Sequence, residues 1–307
     1  MIRKLIIVLL GCGLLVSARA ASEGAASVEH YDTPYNSLTI ERRGTVVEMR
    51  ARSRRGEALE SAVDVADPLR LVVPYTRSLY AGLFFQPKPQ RVLMIGLGGA
   101  GFHRLFAAAF PETLLQTVEL DPKVFELAQT HLDFKPTERT PVDLRDGRIF
   151  VKRDRSRWDW IILDAFRGGY VPAHLKTKEF YQECAARLSD RGVFISNLHA
   201  GTELYYADIR TIRSVFPQVV LFATKGSSNV ILCAVKYRDP QVTDPMGWPD
   251  PATLLPQEFA GRLDLRAIRH ERVELPYRQI NEAGVLTDDF APVEFLDTVK
   301  SHNTGPR

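Results

Sequence analysis

Cysteine is scarce in this sequence. Three of its 307 residues are cysteine, and two of them, Cys184 and Cys233, stand alone in segments whose patterns predict a helix and a strand. Two isolated cysteines supply neither a disulfide framework nor a metal site, so buried thiols are expected. The histidines lack the spacing of metal ligands, and no serine or cysteine lies in a nucleophile motif. The sequence therefore predicts no metal site.

The sequence also lacks a large excess of charge of either sign. The 40 basic and 37 acidic residues give a formal net charge of +3. Arg3, Lys4 and Arg19 supply three of the positive charges, and residues 1–20 contain no acid. Without that segment, 40 minus 3 leaves 37 basic residues against 37 acidic ones. A chain without basic excess lacks the electrostatic footprint of a nucleic-acid-binding protein, so no nucleic-acid partner is expected.

Long apolar runs are also absent, apart from a short one at the amino terminus. Arg3 and Lys4 precede an apolar run, and Ala18-Arg19-Ala20 offers a small-residue cleavage pattern. This order predicts a secretory signal peptide over residues 1–20 and an exported protein, either periplasmic or secreted. The run is too short for a permanent membrane anchor. The alternatives are a lipoprotein-like site at Cys12 and a start placed upstream of a cytoplasmic domain.

The segment that follows predicts a small N-terminal β-hairpin domain over residues 28–75. Leu38 and Ile40 alternate with polar neighbours, Arg42-Arg43-Gly44 is a turn signal, and residues 45–49 continue as a strand. Residues 21–30 are small and polar and predict a flexible lead-in. The arginines at 50, 52, 54 and 55 predict a solvated hairpin tip, and Asp67-Pro68 predicts the start of a helix.

From residue 91 the pattern alternates between strand and helix. Predicted strands cover 91–95, 114–120, 142–144, 158–163, 192–198, 218–223 and 229–236, and predicted helices cover 102–109, 122–131, 177–189 and 203–215. Strands that alternate with helices imply a parallel sheet covered on both faces. The sequence therefore predicts a Rossmann-like α/β domain over residues 76–240, followed by a loop-rich C-terminal extension over 241–307.

A glycine-rich turn follows the first strand of this domain and opens a helix. It contains Gly96, Gly98, Gly99 and Gly101, which permit a tight turn and a close approach of a ligand to the backbone. Glu119 closes the next strand, where its two oxygens can accept the two hydroxyls of a ribose. The G-x-G-G-x-G spacing departs from the dinucleotide pattern G-x-G-x-x-G, which disfavours a dinucleotide site.

Two further acidic motifs follow later strands. Asp146-Gly147 follows the third strand, where it predicts either a contact with a nucleoside or a plain turn. Residues 158–163 form an apolar strand that delivers Asp164 to the carboxyl edge of the sheet, where ligands of open α/β sheets bind. A carboxylate there can orient or deprotonate an amine and attract a cation, or it can cap the next loop. Asp121-Pro122 predicts the N-cap of a helix.

The run from Arg91 to about His199 resembles the core of the spermidine synthases, the polyamine aminopropyltransferases. The resemblance rests on the strand that leads into Gly96, on Val118 to Asp121, on Asp146-Gly147 and on Asp159 to Asp164. It implies a fold like that of S-adenosylmethionine-dependent transferases, with a small N-terminal β domain. The segment from Thr287 to Glu294 resembles an ending of bacterial spermidine-synthase-like proteins.

The resemblance also implies roles for individual residues. Those enzymes move an aminopropyl group from decarboxylated S-adenosylmethionine to the amine of putrescine. Glu119 would hold the ribose, Asp146 would contact the adenine, and the glycine turn would border the sulfonium. Asp164 matches the family's catalytic acid, and Tyr75 approximately matches a tyrosine that lines the site. Such enzymes use S-adenosylmethionine-type co-substrates without metal, and they are usually oligomers, so a homodimer is a hypothesis.

The sequence departs from the family at two positions that concern the substrate. The glycine turn lacks the acid that normally meets the aminopropyl ammonium. Arg167 stands where the family has a second acid, and a cation in that channel would repel a diamine unless it is neutralised or points away. Three hypotheses stay open: an aminopropyltransferase with a small-molecule amine acceptor, a methyltransferase with the same donor pocket, and a non-catalytic exported binding protein.

Overall fold

The structure is a computed structural model that describes residues 27–53, 56–167 and 169–293. The predicted signal peptide lies outside the described residues, so export stays a prediction. Arg54, Arg55 and Glu294 lie outside them as well. Within the described ranges, no helix is both long enough and apolar enough to cross a membrane.

An antiparallel sheet of four strands, in the order β1-β2-β3-β4, forms the N-terminal part of the described chain. The predicted hairpin is its β2–β3 pair, in which Gly44 turns with a φ of +61°. The strands are β1 (Ser27–Asp32), β2 (Ser37–Arg43), β3 (Val46–Ser53) and β4 (Gly56–Asp64).

One expectation for this sheet is wrong. Residues 27–30, expected in a flexible lead-in, pair with β2, because backbone hydrogen bonds of a strand do not require apolar side chains. Arg50 and Arg52, expected at a hairpin tip, lie in β3 near the end at which Ser53 pairs with Gly56 of β4. Arg50 forms ion pairs there with Glu41 and Glu48, so these carboxylates neutralise part of the basic run.

The expected helix start at Asp67-Pro68 is also wrong. The chain turns at these residues, and helix α1 (Tyr75–Ser78) begins only after Pro74. The Asp64 side chain accepts the N–H of Ala66, which stabilises a turn rather than a helix at this point. A 3₁₀-helix over Leu79–Phe84 continues α1, and its residues are fully or almost fully buried.

A mixed sheet of eight strands, in the order β12-β10-β11-β9-β8-β5-β6-β7, forms the second layer. Strands β7, β6, β5, β8 and β9 are parallel, as predicted, whereas β11, β10 and β12 are antiparallel. The strands are β5 (Arg91–Ile95), β6 (Leu114–Glu119), β7 (Val142–Leu144), β8 (Trp158–Leu163), β9 (Leu188–His199), β10 (Gln218–Ala223), β11 (Asn229–Val235) and β12 (Arg272–Val273).

Helices cover both faces of this sheet. In β5, Val92 and Met94 pack into the core on one face, and Leu93 and Ile95 pack into the core on the other. This explains why the strand is apolar at successive positions. The helices are α2 (Gly101–Ala109), α3 (Pro122–Thr130), α4 (Gly147–Arg153), α5 (Lys178–Arg187), α6 (Tyr205–Arg213), α7 (Pro240–Thr243), α8 (Leu265–His270) and α9 (Tyr277–Glu282).

The C-terminal extension contains short helices. Helices α7, α8 and α9 and the 3₁₀-helices Pro245–Gly247, Pro251–Thr253 and Gln257–Phe259 lie in it. Cys184 and Cys233 are buried and free, as predicted, and burial raises the pKa of both thiols. In the part of the chain that the structure describes, no group of three or more histidines, cysteines or acids is placed to hold a metal ion.

An ion-pair cluster joins the C-terminal extension to the sheet domain. The Arg148 guanidinium donates to both oxygens of Asp288 and both oxygens of Glu183. Arg148 is 9% exposed in its side chain, and the Thr177 hydroxyl also donates to Asp288. These contacts, above all the bonds from Arg148, lower the pKa of Asp288 to about 2. Asp288 therefore fixes the extension against α4 and α5.

We expect Arg148→Gln to destabilise the protein, because it leaves two carboxylates without their shared cation. The loss of charged hydrogen bonds predicts a decrease of about 1–3 kcal/mol in the free energy of unfolding, measured by urea denaturation. The control is Arg145→Gln, since Arg145 forms an exposed pair with Asp143 and its loss should cost less than about 1 kcal/mol. Equal effects of the two substitutions would contradict a structural role of the cluster.

Candidate active site

A pocket lies at the carboxyl ends of the parallel strands, under the N-terminal sheet. Its empty space is about 1040 Å³, including the part that is open to solvent. Strands β5 and β6 and the segment that follows β8 contribute one wall, and Leu38, Met49 and Glu60 of the N-terminal sheet contribute another. The pocket brings together nearly all of the predicted site residues, namely Tyr75, Gly96, Gly98, Gly101, Glu119, Asp146, Gly147, Asp164 and Arg167.

The glycine turn packs directly against the backbone after β8. Gly96 has a φ of +101°, and a Cβ atom at this position would lie 2.2 Å from the carbonyl oxygen of Asp164. Gly98 also has a left-handed φ of +51°. The short Cβ distance explains why glycine is needed at position 96, and the positive φ favours glycine at position 98. The turn therefore sets the position of Asp164 as well as the floor of the pocket.

Gly99 has a packing role and does not line the pocket. A Cβ atom on Gly99 would lie 2.5 Å from both the Leu132 side chain and the Ser61 hydroxyl oxygen. Arg104 donates to the Gly99 carbonyl oxygen, at distances of 2.7 and 2.8 Å from its two terminal nitrogens. Arg104 lies in helix α2, which begins at Gly101, so the helix holds the glycine turn in place through this guanidinium.

Glu119 is held at the end of β6 by backbone donors. The N–H of Leu97 donates to Oε2 at 2.9 Å, and the N–H of Asp121 donates to Oε1 at 2.8 Å. Burial raises the pKa of Glu119, although these N–H groups act against the increase. The backbone N–H of Leu120 is a third donor to this carboxylate. The carboxylate is therefore fixed in place by backbone, and its remaining lone-pair capacity can accept a hydroxyl donor from a ligand.

Asp121 connects helix α3 to the N-terminal sheet. Its side chain accepts the N–H of Lys123, which confirms the predicted N-cap. The other oxygen accepts the Thr33 hydroxyl at 2.7 Å and the Asn36 amide at 2.9 Å. The loop between β1 and β2 is thereby tied to the rim of the pocket.

Asp146 caps helix α4. Its Oδ1 accepts the N–H of Ile149 at 2.9 Å, and its Oδ2 lies 2.7 Å from Nε2 of His174. Burial acts to raise the pKa of Asp146, but the hydrogen bonds from His174 and Ile149 prevail and lower it. A Cβ on Gly147 would lie 2.4 Å from Cγ2 of Ile95, so this glycine permits close packing of α4 on β5.

Asp164 is the centre of a buried polar network. The Tyr75 hydroxyl donates to Oδ2 at 2.9 Å, and the Asn197 amide donates to Oδ1 at 2.9 Å. Asn229 in turn donates to Asn197 at 2.8 Å. Burial raises the pKa of Asp164 to about 6, against the opposing effect of Asn197 and Tyr75. Tyr75 lies in α1 and Asn197 lies in β9. A carboxylate that capped the next loop would instead accept hydrogen bonds from that loop, so these contacts do not support the loop-capping alternative.

Arg167 lies at the exposed rim of the pocket. Its Nε donates to the carbonyl oxygen of Tyr35 at 2.8 Å, and its backbone pairs with that of Tyr170. Among the described residues, no carboxylate forms an ion pair with Arg167. The Arg167 guanidinium therefore does not neutralise Asp164. The β1–β2 loop holds the Arg167 side chain instead.

Two polar groups, one that lines the pocket and one that contacts Asp164, have no counterpart in the sequence predictions. Glu60 of β4 lines the pocket and interacts electrostatically with Asp164 and Glu119. Asn197, which donates to Asp164, lies in the buried C-terminal part of strand β9. A polar amide within an apolar strand is a signal that could have indicated Asn197. Glu60 has no such local signal, because only the packing of one sheet over the other brings it into the pocket.

Comparisons with known proteins decide the family. The model of the spermine/spermidine synthase domain matches residues 75–225. A polyamine aminopropyltransferase of Vibrio vulnificus is 33% identical over 257 residues, which span 80% of this chain and 82% of that relative. The chain belongs to the spermine/spermidine synthase family. The resemblance stated from the motifs is thereby confirmed.

Solved structures of spermidine synthases share the fold. A probable spermidine synthase from Corynebacterium glutamicum has a TM-score of 0.65 at 18% identity and covers 87% of this chain and 98% of its own. A spermidine synthase in complex with the transition state analogue AdoDATO has a TM-score of 0.62 at 19% identity and covers 83% of this chain and 88% of its own. The predicted Rossmann-like α/β fold with an N-terminal β sheet is confirmed.

We expect Gly96→Ala to disrupt the spermidine-synthase-like site, because the new Cβ would collide with the Asp164 carbonyl. A left-handed φ alone costs about 1–2 kcal/mol for a residue with a Cβ. The control is Gly44→Ala, which shares a positive φ but has open space around its Cβ. Urea denaturation should show a clearly larger loss of stability for Gly96→Ala. Equal losses would mean that the contact with Asp164 carries no cost.

Proposed function

We propose that this chain is an aminopropyltransferase that moves an aminopropyl group from decarboxylated S-adenosylmethionine to a small-molecule amine. The observation that carries the proposal is the Asp164 carboxylate. It lies at the carboxyl end of β8, Tyr75 and Asn197 hold its two oxygens, and no cationic side chain of the described residues pairs with it. A buried carboxylate without a counter-ion favours a cationic ligand.

Asp164 would act on the attacking amine. The amine nitrogen forms a bond to the carbon next to the sulfonium, the carbon–sulfur bond breaks, and its electron pair stays on sulfur as a thioether. The nitrogen must then lose a proton, which Asp164 accepts. A carboxylate with a pKa of about 6 is ionised near neutral pH and suits this role as a general base. Tyr75 and Asn197 orient it.

The other half of the pocket suits the nucleoside of the donor. Glu119 presents a fixed carboxylate that can accept from the ribose hydroxyls, and the glycine turn leaves room for a ligand against its backbone. Asp146 and Gly147 would border the adenine. The similar spermidine synthase that holds AdoDATO supports a donor of this class. Family membership does not favour the methyltransferase or the non-catalytic binding protein.

Isothermal titration calorimetry tests the donor. We expect residues 21–307 to bind decarboxylated S-adenosylmethionine more tightly than S-adenosylmethionine. Glu119→Ala should weaken binding by about tenfold or more, because hydrogen bonds to a charged group contribute about 1.5–3 kcal/mol. Glu112→Gln is the control, since Glu112 is exposed near the start of the same strand. Preference for S-adenosylmethionine would indicate a methyltransferase, and binding of neither would indicate a vestigial site.

The pH dependence of transfer tests Asp164. Because the ionised carboxylate is required, kcat/KM with 1,4-diaminobutane should fall as the pH decreases through about 6. Asn197→Ala removes a donor that favours the charged form, so the acidic limb should move upward by on the order of one pH unit. The exposed Asn281→Ala variant should leave the limb unchanged. A uniform loss of rate with no movement of the limb would exclude Asp164 as the base.

A further inference from the structure

We propose that Glu60 binds a primary alkylammonium group of the ligand inside the pocket. Glu60 belongs to β4 of the N-terminal sheet, which covers the carboxyl edge of the larger sheet. The inference rests on the proposed function, in which both the donor and the acceptor carry such a group. Glu60 lies outside the motifs on which the family resemblance rests.

The first observation is an unused acceptor. The Oε1 atom of Glu60 is buried and has no hydrogen-bond partner among the described residues. The backbone N–H of Gly169 donates to the carboxylate, so part of the group is held in place while Oε1 is left for a ligand. A buried acceptor without a donor costs about 1–3 kcal/mol. An ammonium supplies N–H donors, whereas a sulfonium supplies none.

The second observation is the charge of the surroundings. Glu60 interacts electrostatically with Asp164 and Glu119, and burial together with these two carboxylates raises its pKa to about 8. Tyr75 is the other titratable group that faces it. Within the described residues, no lysine or arginine forms an ion pair with any of the three carboxylates. A cationic group of the ligand would relieve their mutual repulsion.

The third observation concerns the glycine turn, which lacks an acid of its own. A side chain at Gly99 has no room, because its Cβ would lie 2.5 Å from both Ser61 and Leu132. Ser61 is the neighbour of Glu60 on β4, and the Glu60 carbonyl oxygen would lie 3.9 Å from a Cβ on Gly98. Strand β4 therefore occupies the space next to the turn and provides a carboxylate from the opposite wall.

Calorimetry with paired ligands tests the proposal. S-Adenosyl-3-thiopropylamine carries the ammonium on a neutral thioether, and 5′-methylthioadenosine carries the same nucleoside and thioether without the ammonium. We expect Glu60→Gln to weaken binding of the first by about tenfold or more and of the second by less than about twofold. The matched control is Glu57→Gln, an exposed glutamate on the same strand. Equal weakening of both ligands would indicate a structural role and overturn the proposal.

A second titration, with the amine acceptor, decides whether the donor or the acceptor supplies the ammonium that Glu60 binds. If the acceptor supplies it, Glu60→Gln should leave the donor affinity unchanged and weaken binding of 1,4-diaminobutane in the presence of 5′-methylthioadenosine. If Glu60→Gln leaves binding unchanged in both arms, the proposal is overturned. If the wild-type protein binds no adenosyl ligand, the proposed function fails, and 1,4-diaminobutane alone then decides whether Glu60 binds an ammonium.

Proton release gives a readout that a structural role would not produce. A carboxylate with a pKa of about 8 is mostly protonated at pH 7, and binding of an ammonium favours its ionised form. Binding of the cationic ligand should therefore release a proton, measured from the dependence of the binding enthalpy on the buffer, and affinity should rise as the pH increases through about 8. The same release in Glu60→Gln would overturn the proposal.

Discussion

The approach of the Gly96 backbone to the Asp164 carbonyl is the constraint on which the site depends. The missing side chain at Gly96 allows β5 and the chain after β8 to meet at the sheet edge. This contact places the glycine turn, which donates an N–H to Glu119, next to the Asp164 carboxylate. The positions of Glu119 and Asp164 are therefore linked through a backbone contact at the sheet edge.

The N-terminal sheet and its loops supply the contacts that hold the mouth of the pocket. Thr33 and Asn36 bind Asp121, and the Tyr35 carbonyl binds Arg167, so the β1–β2 loop is tied to both sides of the pocket mouth. The same contacts turn the guanidinium toward the loop. Arg167, which the sequence suggested would repel a diamine, thus holds the β1–β2 loop at the pocket mouth.

The sequence predicted the parts of the fold and site that depend on local pattern. Gly96, Glu119 and Asp164 stand at the ends of apolar strands, and parallel strands bring such ends to one edge of a sheet. Glu60 was missed because its role depends on which segments meet in space, whereas Asn197 carried a local signal, a polar amide in an apolar strand, that was not used. The helix expected at Asp67-Pro68 was wrong for a related reason: a proline and an acid describe a turn as well as a helix start.

The clamp of Arg148 on Asp288 has a consequence for the order in which the chain is made. The loop that covers the pocket comes from near residue 35, whereas the clamp on α4, the helix capped by Asp146, waits for residue 288. Contacts between segments so distant in sequence form late. A growing chain that has not yet reached residue 288 lacks one of the two carboxylates that Arg148 joins, so α4 and its Asp146 cap are held less firmly until that segment is made.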